Sequence, residues 1–178
     1  MKILKDWLER NATEKNYLFT PQDLKLLHPN LSATALKTIL SRAVNANLLE
    51  RVCRGLYAYK KPANGLLLFH AAAYLRRDTF NYISLETALS NVGIISQVPM
   101  QWISIMSSGR SNIISCANFG TIEFIHTSQK PVDLMNQLIY DKHCRLWRAN
   151  IALAIRDMKI TQRNCDLIDW ELVHELIR

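Results

Sequence analysis

Phe19-Thr-Pro-Gln-Asp-Leu24, Leu31-Ser-Ala-Thr-Ala-Leu-Lys-Thr-Ile-Leu-Ser-Arg-Ala-Val44 and Leu48-Leu-Glu-Arg-Val-Cys-Arg-Gly-Leu-Tyr-Ala-Tyr59 follow one another with only short breaks. Thr20 is a suitable N-cap, and Pro21 suits the first helical position, where its missing N–H costs nothing. Asp23 falls in the first turn, where a negative charge suits the helix dipole. Pro29 ends this short helix. Ser32 caps a second one, expected from Ala33 to about Asn47. Leu49–Val52 and Leu56–Tyr59 read as strands. Cys53-Arg54-Gly55 turns between them, with Gly55 suited to positive φ. Helix, turn, helix, strand, tight turn, strand is the order of a winged helix-turn-helix, which places a helix and a hairpin tip beside duplex DNA.

The second helix divides cleanly at 3.6 residues per turn. Leu36, Ile39, Leu40, Ala43 and Val44 share one arc, and Thr34, Lys37, Thr38, Ser41, Arg42 and Asn45 share the other. Polar helix faces are commonly just solvated. This one carries two cations and no carboxylate, where an ordinary solvated face would mix in Glu. Arg and Asn can read purine edges, and Ser and Thr can bind bases or phosphates. Arg51 and Arg54 fall at or near the hairpin tip, and Lys60 and Lys61 close the hairpin. Basic residues also protect sheet edges; the wing geometry favours a DNA contact for Arg54. Lys37, Arg51, Arg54, Lys60 and Lys61 are thus expected to meet phosphates, while Thr34, Thr38, Ser41, Arg42 and Asn45 face the bases.

Charge supports the same partner. The 178 residues carry a formal charge of +7. Residues 1–61 hold 11 Lys/Arg against 5 Asp/Glu, whereas residues 62–178 hold 11 against 10. The excess of positive charge therefore sits in the segment that resembles a DNA-binding module, an electrostatic footprint for a polyanion. Residues 1–61 are expected as one domain and residues 62–178 as a second, with the break at Lys61-Pro-Ala-Asn-Gly65. Met1–Arg10 reads as an amphipathic helix with Ile3, Leu4, Trp7 and Leu8 on one face, not as a signal peptide. No apolar run reaches membrane-spanning length. The four cysteines are widely spaced and do not look like a disulfide framework. A cytoplasmic location without membrane contact is expected.

The second part reads as α+β, with a small antiparallel sheet and several helices. Leu66–Arg77 is expected as a helix. Ser84 reads as the cap of another that Gly93 ends, followed by extended Ile94-Ile95. Strands are expected at Trp102–Met106, Ile113–Ala117 and Thr121–His126. After Pro131, helices are expected over Val132–Tyr140, Leu146–Met158 and Asp169–Ile177.

Three stretches carry a family resemblance: Leu48-Leu-Glu-Arg-Val-Cys-Arg-Gly-Leu-Tyr57, Tyr82-Ile-Ser-Leu-Glu-Thr-Ala-Leu89 with Gly93-Ile94 and Gln97-Val-Pro99, and a strand pair leading to Phe124-Ile-His126. On these the chain resembles the AbiEi family, the antitoxin component of bacterial type IV toxin–antitoxin systems, over roughly residues 15–158. The resemblance implies a repressor of its own operon and a functional toxin partner that is nucleotidyltransferase-like. It also implies that the toxin is countered without a stable complex being required. The family usually has a Pro-Glu segment before an Ala-rich helix; here Arg148–Asp157 occupies that place without it. Duplex DNA with repeated half-sites in the protein's own promoter is the expected ligand, with a homodimer as the matching assembly.

Sites for chemistry are poor. His28, His70, His126, His143 and His174 show no metal-ligand spacing, and neither GxxxxGK[ST] nor GxGxxG is present. His143-Cys144 lacks an orienting third group. Ser107-Ser-Gly-Arg-Ser111 could cradle a phosphate but reads more simply as a turn. Trp7, Tyr74, Tyr82, Trp102, Trp147 and Trp170 are scattered, without the interleaved basic pattern of a single-strand stacking surface. No enzyme, metal or cofactor is expected. The rival reading is an interaction protein whose winged helix docks a protein.

Overall fold

A computed structural model describes residues 2–26, 29–61, 65–96 and 101–177. The chain forms two units, Met1–Leu67 with Cys116–Phe119, and Leu68–Ser115 with Gly120–Arg178. Residues 62–64, where the linker is expected, and Gln97-Val98-Pro99 lie outside the described residues.

The first unit runs α1 (Lys2–Asn11), β1 (Leu18–Phe19), α2 (Pro21–Lys25), α3 (Ala33–Asn45), β2 (Glu50–Cys53) and β3 (Leu56–Ala58). Local chemistry sets each boundary. Thr20 and Asp23 form a capping box: the Thr20 N–H donates to Asp23 Oδ2 at 2.6 Å, and the Asp23 N–H donates to Thr20 Oγ1 at 3.4 Å. Such reciprocal bonds satisfy two orphan donors of the first turn. The Ser32 hydroxyl accepts the Ala35 N–H at 3.2 Å and starts α3. Asn47, at φ +53°, takes the left-handed conformation that ends it. The strand order is β1-β3-β2, both pairs antiparallel. Strand β1 escapes the sequence reading because two residues are too few to show a period.

Leu36, Leu40 and Ala43 of α3 are buried with Leu4 and Leu8 of α1, Phe19, Leu24, Leu49 and Tyr59. Trp7 packs on Phe19 edge to face, ring centres 5.4 Å apart. Burying side chains of this size stabilises by about 1.5–3 kcal/mol each. Ile3 departs from expectation: it is exposed, and α1 seats itself on Leu4 and Leu8.

The second unit contains α4 (Leu67–Leu75), β4 (Asn81–Ile83), α5 (Leu85–Ser90), β5 (Trp102–Ser107), β6 (Asn112–Cys116), β7 (Gly120–His126), α6 (Pro131–Leu134), β8 (Leu138–Asp141), β9 (Leu146–Ala149), α7 (Ile151–Ile160) and α8 (Trp170–Leu176). Leu67 and Cys116, at the ends of α4 and β6, group with the first unit. The α+β class holds, but the sheet is larger than expected and mixed, ordered β6-β7-β5-β4-β9-β8. β4–β9 and β5–β7 are parallel, while β4–β5 and β8–β9 are antiparallel. The β8–β9 hairpin corrects two expected helices. Ile139, Tyr140 and Trp147 suit a pleated sheet. Asn150, whose side chain accepts the Leu153 N–H at 2.9 Å, delays α7 until after β9.

Ser84 is a second correction. It occupies the N-cap position of α5 but makes no capping bond. Its hydroxyl donates instead to Asp157 Oδ2 at 2.7 Å, beside the Tyr82 hydroxyl at 3.0 Å. Gln129 Nε2 donates to the other carboxylate oxygen at 3.3 Å, and Arg156 holds Gln129 Oε1 at 2.5 Å. Asp157 is fully buried, so this network ties the β4–α5 junction to α7 and to the chain after β7. Leu85, the first residue of α5, sits at φ +56° and is fully buried. That conformation costs a non-glycine residue about 1–3 kcal/mol and persists only where packing imposes it.

At Gly120 (φ +124°) an added Cβ would lie 1.9 Å from the Gln101 carbonyl oxygen. Gly120→Ala should therefore force β7 away from β5 and cost more than about 3 kcal/mol, by comparison with backbone strain alone; urea unfolding measures it. Burial raises the Asp157 carboxyl above its ordinary 3.8, against the hydrogen bonds from Ser84 and Tyr82. From that value upward the unfolded chain has lost a proton that the folded unit keeps, so stability should fall as pH rises through this window. Asp157→Asn should flatten that slope. Tyr82→Phe should cost about 1–3 kcal/mol by removing a donor from a buried acceptor.

Candidate nucleic-acid interface

Burial of Leu36, Leu40 and Ala43 leaves the opposite side of α3 nowhere to go but outward. Thr34, Lys37, Thr38, Ser41, Arg42 and Asn45 are all exposed, while Ile39 and Val44 are partly covered by the core. The spacing that places the six polar residues on one arc is the same spacing that buries their neighbours. Among the described residues, neither Lys37 nor Arg42 has a carboxylate partner. The Thr38 hydroxyl donates to the Thr34 carbonyl at 3.1 Å, so it keeps acceptor capacity only.

The hairpin closes over the two residues Arg54 and Gly55, since Cys53 pairs with Leu56. Gly55 takes φ +80°, the positive value that the second loop position of a tight turn needs. Arg54 is exposed at the tip and, among the described residues, has no acidic partner. The ladder slips by one residue between Arg51 and Cys53, a bulge that bends β2 beneath the tip. The Cys116 thiol donates to Cys53, the residue at which the bulge ends. That bond holds the Cys53 thiol below its usual range, with Arg51 helping and burial opposing, while Cys116 is pushed up.

The remaining cations gather at the base. Arg51, Lys60 and Lys61 line a groove of about 440 Å³ together with Asn47, Leu48 and Glu50. Lys61 is engaged within the unit: its ammonium lies 2.6 Å from Glu50 Oε2 and 4.2 Å above the Phe119 ring. Lys60 sits at φ +47° with its ammonium 5.1 Å from the Tyr59 ring centre. The ten expected residues therefore fall into three sets: a helix face, a hairpin tip, and a basic groove at the hairpin base in which Lys61 is already paired. The Glu50–Lys61 pair was beyond sequence reading, because the two residues meet only through the β2–β3 register.

Elsewhere, the structure assigns packing roles to the sequence's other candidates. Cys144 is buried, and burial followed by Asp141 pushes its thiol up to about 12, far from a reactive thiolate. The Ser107–Ser111 turn is stitched by Arg76, which donates to Ser107 Oγ at 2.8 Å and to the Arg110 carbonyl. Among the described residues, no helix is long and apolar enough to cross a membrane.

Residues 8–60 match a protein-family model described as a transcriptional regulator, AbiEi antitoxin. The matched segment begins in α1 and ends after β3, and so contains the helix face and hairpin just described. It supports the AbiEi resemblance drawn from the sequence. No curated protein matches the chain.

The hairpin tip gives a direct test of local geometry. A Cβ at position 55 would meet nothing within 4 Å. Gly55→Ala should then cost about 1–2 kcal/mol through backbone conformation alone, without any clash. A urea midpoint shift with an unchanged slope is the expected signature.

Proposed function

We propose that the first unit is a winged helix-turn-helix that binds duplex DNA, with α3 in the major groove and the β2–β3 hairpin as the wing. The observation that carries this is the exposed face of α3. It presents Lys37 and Arg42 without a carboxylate, and is followed at once by a hairpin with Arg54 at its tip. The element order α1-β1-α2-α3-β2-β3 and the family match over residues 8–60 support it. Lys37, Arg51, Arg54 and Lys60 neutralise phosphates. Thr34, Thr38, Ser41, Arg42 and Asn45 read base edges. Lys61 contributes long-range attraction at most, because Glu50 already holds it.

The wider role is that of an antitoxin that represses its own operon and counters a nucleotidyltransferase-like toxin. Two protomers on repeated half-sites are the matching assembly, because duplex symmetry favours paired modules. No cofactor or metal enters this mechanism. Unpaired cations and hydrogen-bonding side chains suffice for duplex binding.

Gel shifts on the protein's own promoter test the reading. Affinity should fall steeply with salt, and the logarithmic slope should drop by about 0.9 for each phosphate-contacting cation removed. A Lys37→Ala, Arg42→Ala, Arg54→Ala variant should lose most specific binding. Equal binding by this variant and the wild type would discard the assigned surface. A stoichiometric protein partner copurifying without nucleic acid would favour the docking alternative.

A further inference from the structure

The second unit contains a pocket of about 190 Å³ between the end of α4 and the β8–β9 hairpin. It is lined by Arg76, Arg77 and Arg145 together with Phe80, Tyr140 and Trp147, and no carboxylate lines it. Three guanidinium groups in a lining without a carboxylate favour a positive potential there. Their planar forks suit phosphate oxygens, and their neighbours here are aromatic faces.

The sequence separates these groups by up to 71 positions, and the fold brings them together by specific bonds. Tyr140 and Trp147 are cross-strand partners in the β8–β9 ladder, their rings 5.4 Å apart at 69°. The turn between them is rigid. Asp141 Oδ1 accepts the N–H groups of His143 (2.9 Å) and Cys144 (3.0 Å), and Oδ2 accepts Arg148 Nη2 at 2.7 Å. Burial alone would raise the Asp141 carboxyl, but these bonds, Arg148 first, hold it well below the usual range. Buried His70 of α4 then fastens the turn, with Nε2 donating to the His143 carbonyl at 2.6 Å. Burial holds that imidazole below its ordinary value, so it serves as a neutral donor. Arg145 is thereby set beside the arginines that follow α4.

The three arginines differ in what they have left to offer. Arg76 is committed to Ser107, Arg110 and Asn112 and lies 3.9 Å from the Phe124 ring centre, so it supplies charge in a fixed place. Arg77 is mostly exposed, and its carboxylate neighbour Asp78, 3.9 Å away, is 93% exposed. Water and salt screen such a pair, which leaves Arg77 able to turn toward an incoming anion. Tyr140 is 47% exposed and Trp147 partly so, which offers a ring surface rather than a filled core.

We propose that this pocket binds one nucleotide unit, with the base against Trp147 and Tyr140 and the phosphate at Arg77 and Arg145. Its volume is below the ~300–1,000 Å³ of pockets that enclose a whole small ligand. It therefore takes a single ring system and leaves the sugar-phosphate outside, as suits either a free nucleotide or an exposed unit of a single strand. Base–aromatic stacking contributes affinity without needing sequence. The site shares no residue with the duplex-binding face of α3, so it stands or falls independently.

The test uses the full chain carrying Lys37→Ala, Arg42→Ala and Arg54→Ala, which should bind single strands as well as the wild type does. Fluorescence anisotropy follows a labelled oligo(dA) of ~10 nucleotides, within the usual range for single-strand sites, with adenosine monophosphate and inorganic phosphate as competitors. Saturable binding that weakens with salt is expected. Trp147→Ala should weaken it about tenfold or more, Trp147→Phe should largely preserve it, and Arg77→Glu should weaken it and flatten the salt dependence. Competition by adenosine monophosphate would identify the free nucleotide as sufficient; competition by unlabelled strand alone would assign a polymer. Absence of saturable binding, phosphate competing as well as adenosine monophosphate, or an unaffected Trp147→Ala variant would each overturn the proposal. Should Trp147→Ala fail to fold, the solvent-exposed Arg77→Glu change and the phosphate comparison still decide.

Discussion

Burial of one stripe of α3 is the constraint from which the first unit takes its form. Leu36, Leu40 and Ala43 have to leave water, and α1, β1 and the hairpin base supply the apolar surface that receives them. Once that stripe is seated, α3 has no rotational freedom left. A turn of some 100° about the axis, one residue's worth, would expose Leu40 and bury Arg42 or Ser41. The cost of burying an unpaired guanidinium far exceeds what any surface contact returns. The outward direction of Thr34, Lys37, Thr38, Ser41, Arg42 and Asn45 is thus a consequence of core packing. The proposed duplex-binding role asks in addition that these outward residues be cationic, short and hydrogen-bonding.

The second unit is organised by a different device. Asp157 is a carboxylate taken wholly out of water and satisfied by Ser84, Tyr82 and Gln129. Removing charge or donors from such a network leaves buried groups unpaired, so its members hold one another in place. It fixes the strained β4–α5 junction at Leu85, which lies in the middle of the six-stranded sheet's topology. The Tyr82–Leu89 stretch is therefore the stretch that anchors the sheet. Its Ser and Tyr hydroxyls are spent on packing, and none of the described geometry aims them at a substrate.

The two units also use charge differently. In the first, Lys37, Arg42 and Arg54 stand in solvent without acids among the described residues, while Lys61 pairs with Glu50 and Lys5 with Glu9. In the second, acids and bases nearly balance, and most arginines are committed. Arg163 holds Glu123 at 2.5 Å, Arg148 holds Asp141, and Arg76 pins the β5–β6 turn. The α4–hairpin pocket is an exception within that balanced unit, which is why its arginine and aromatic lining carries weight.

Much of this protein was legible before any fold was drawn. Short-range signals named themselves: the Thr20-Pro21 and Ser32 helix starts, the 3.6-residue stripe of α3, the Arg54-Gly55 turn, and the concentration of excess charge before residue 62. The helix starts, the stripe and the turn depend on residues within a few positions of one another, and among the described residues no distant partner competes with them. Tertiary structure decided the rest. Two-residue β1 exists only because β3 lies beside it. Ser84 abandons its cap because Asp157, 73 positions away, offers a stronger bond. The stretches before and after residue 142 became strands because β4 was there to pair with β9, against a helical reading of the same letters. Lys61 met Glu50 and Tyr140 met Trp147 through strand register, and α4 packing on the β8–β9 turn brought two distant arginines to the same pocket. Sequence determines the local preferences and the face each helix will bury. Partners far apart in the chain are chosen by what the assembled core places within hydrogen-bonding reach, and no local pattern encodes that choice.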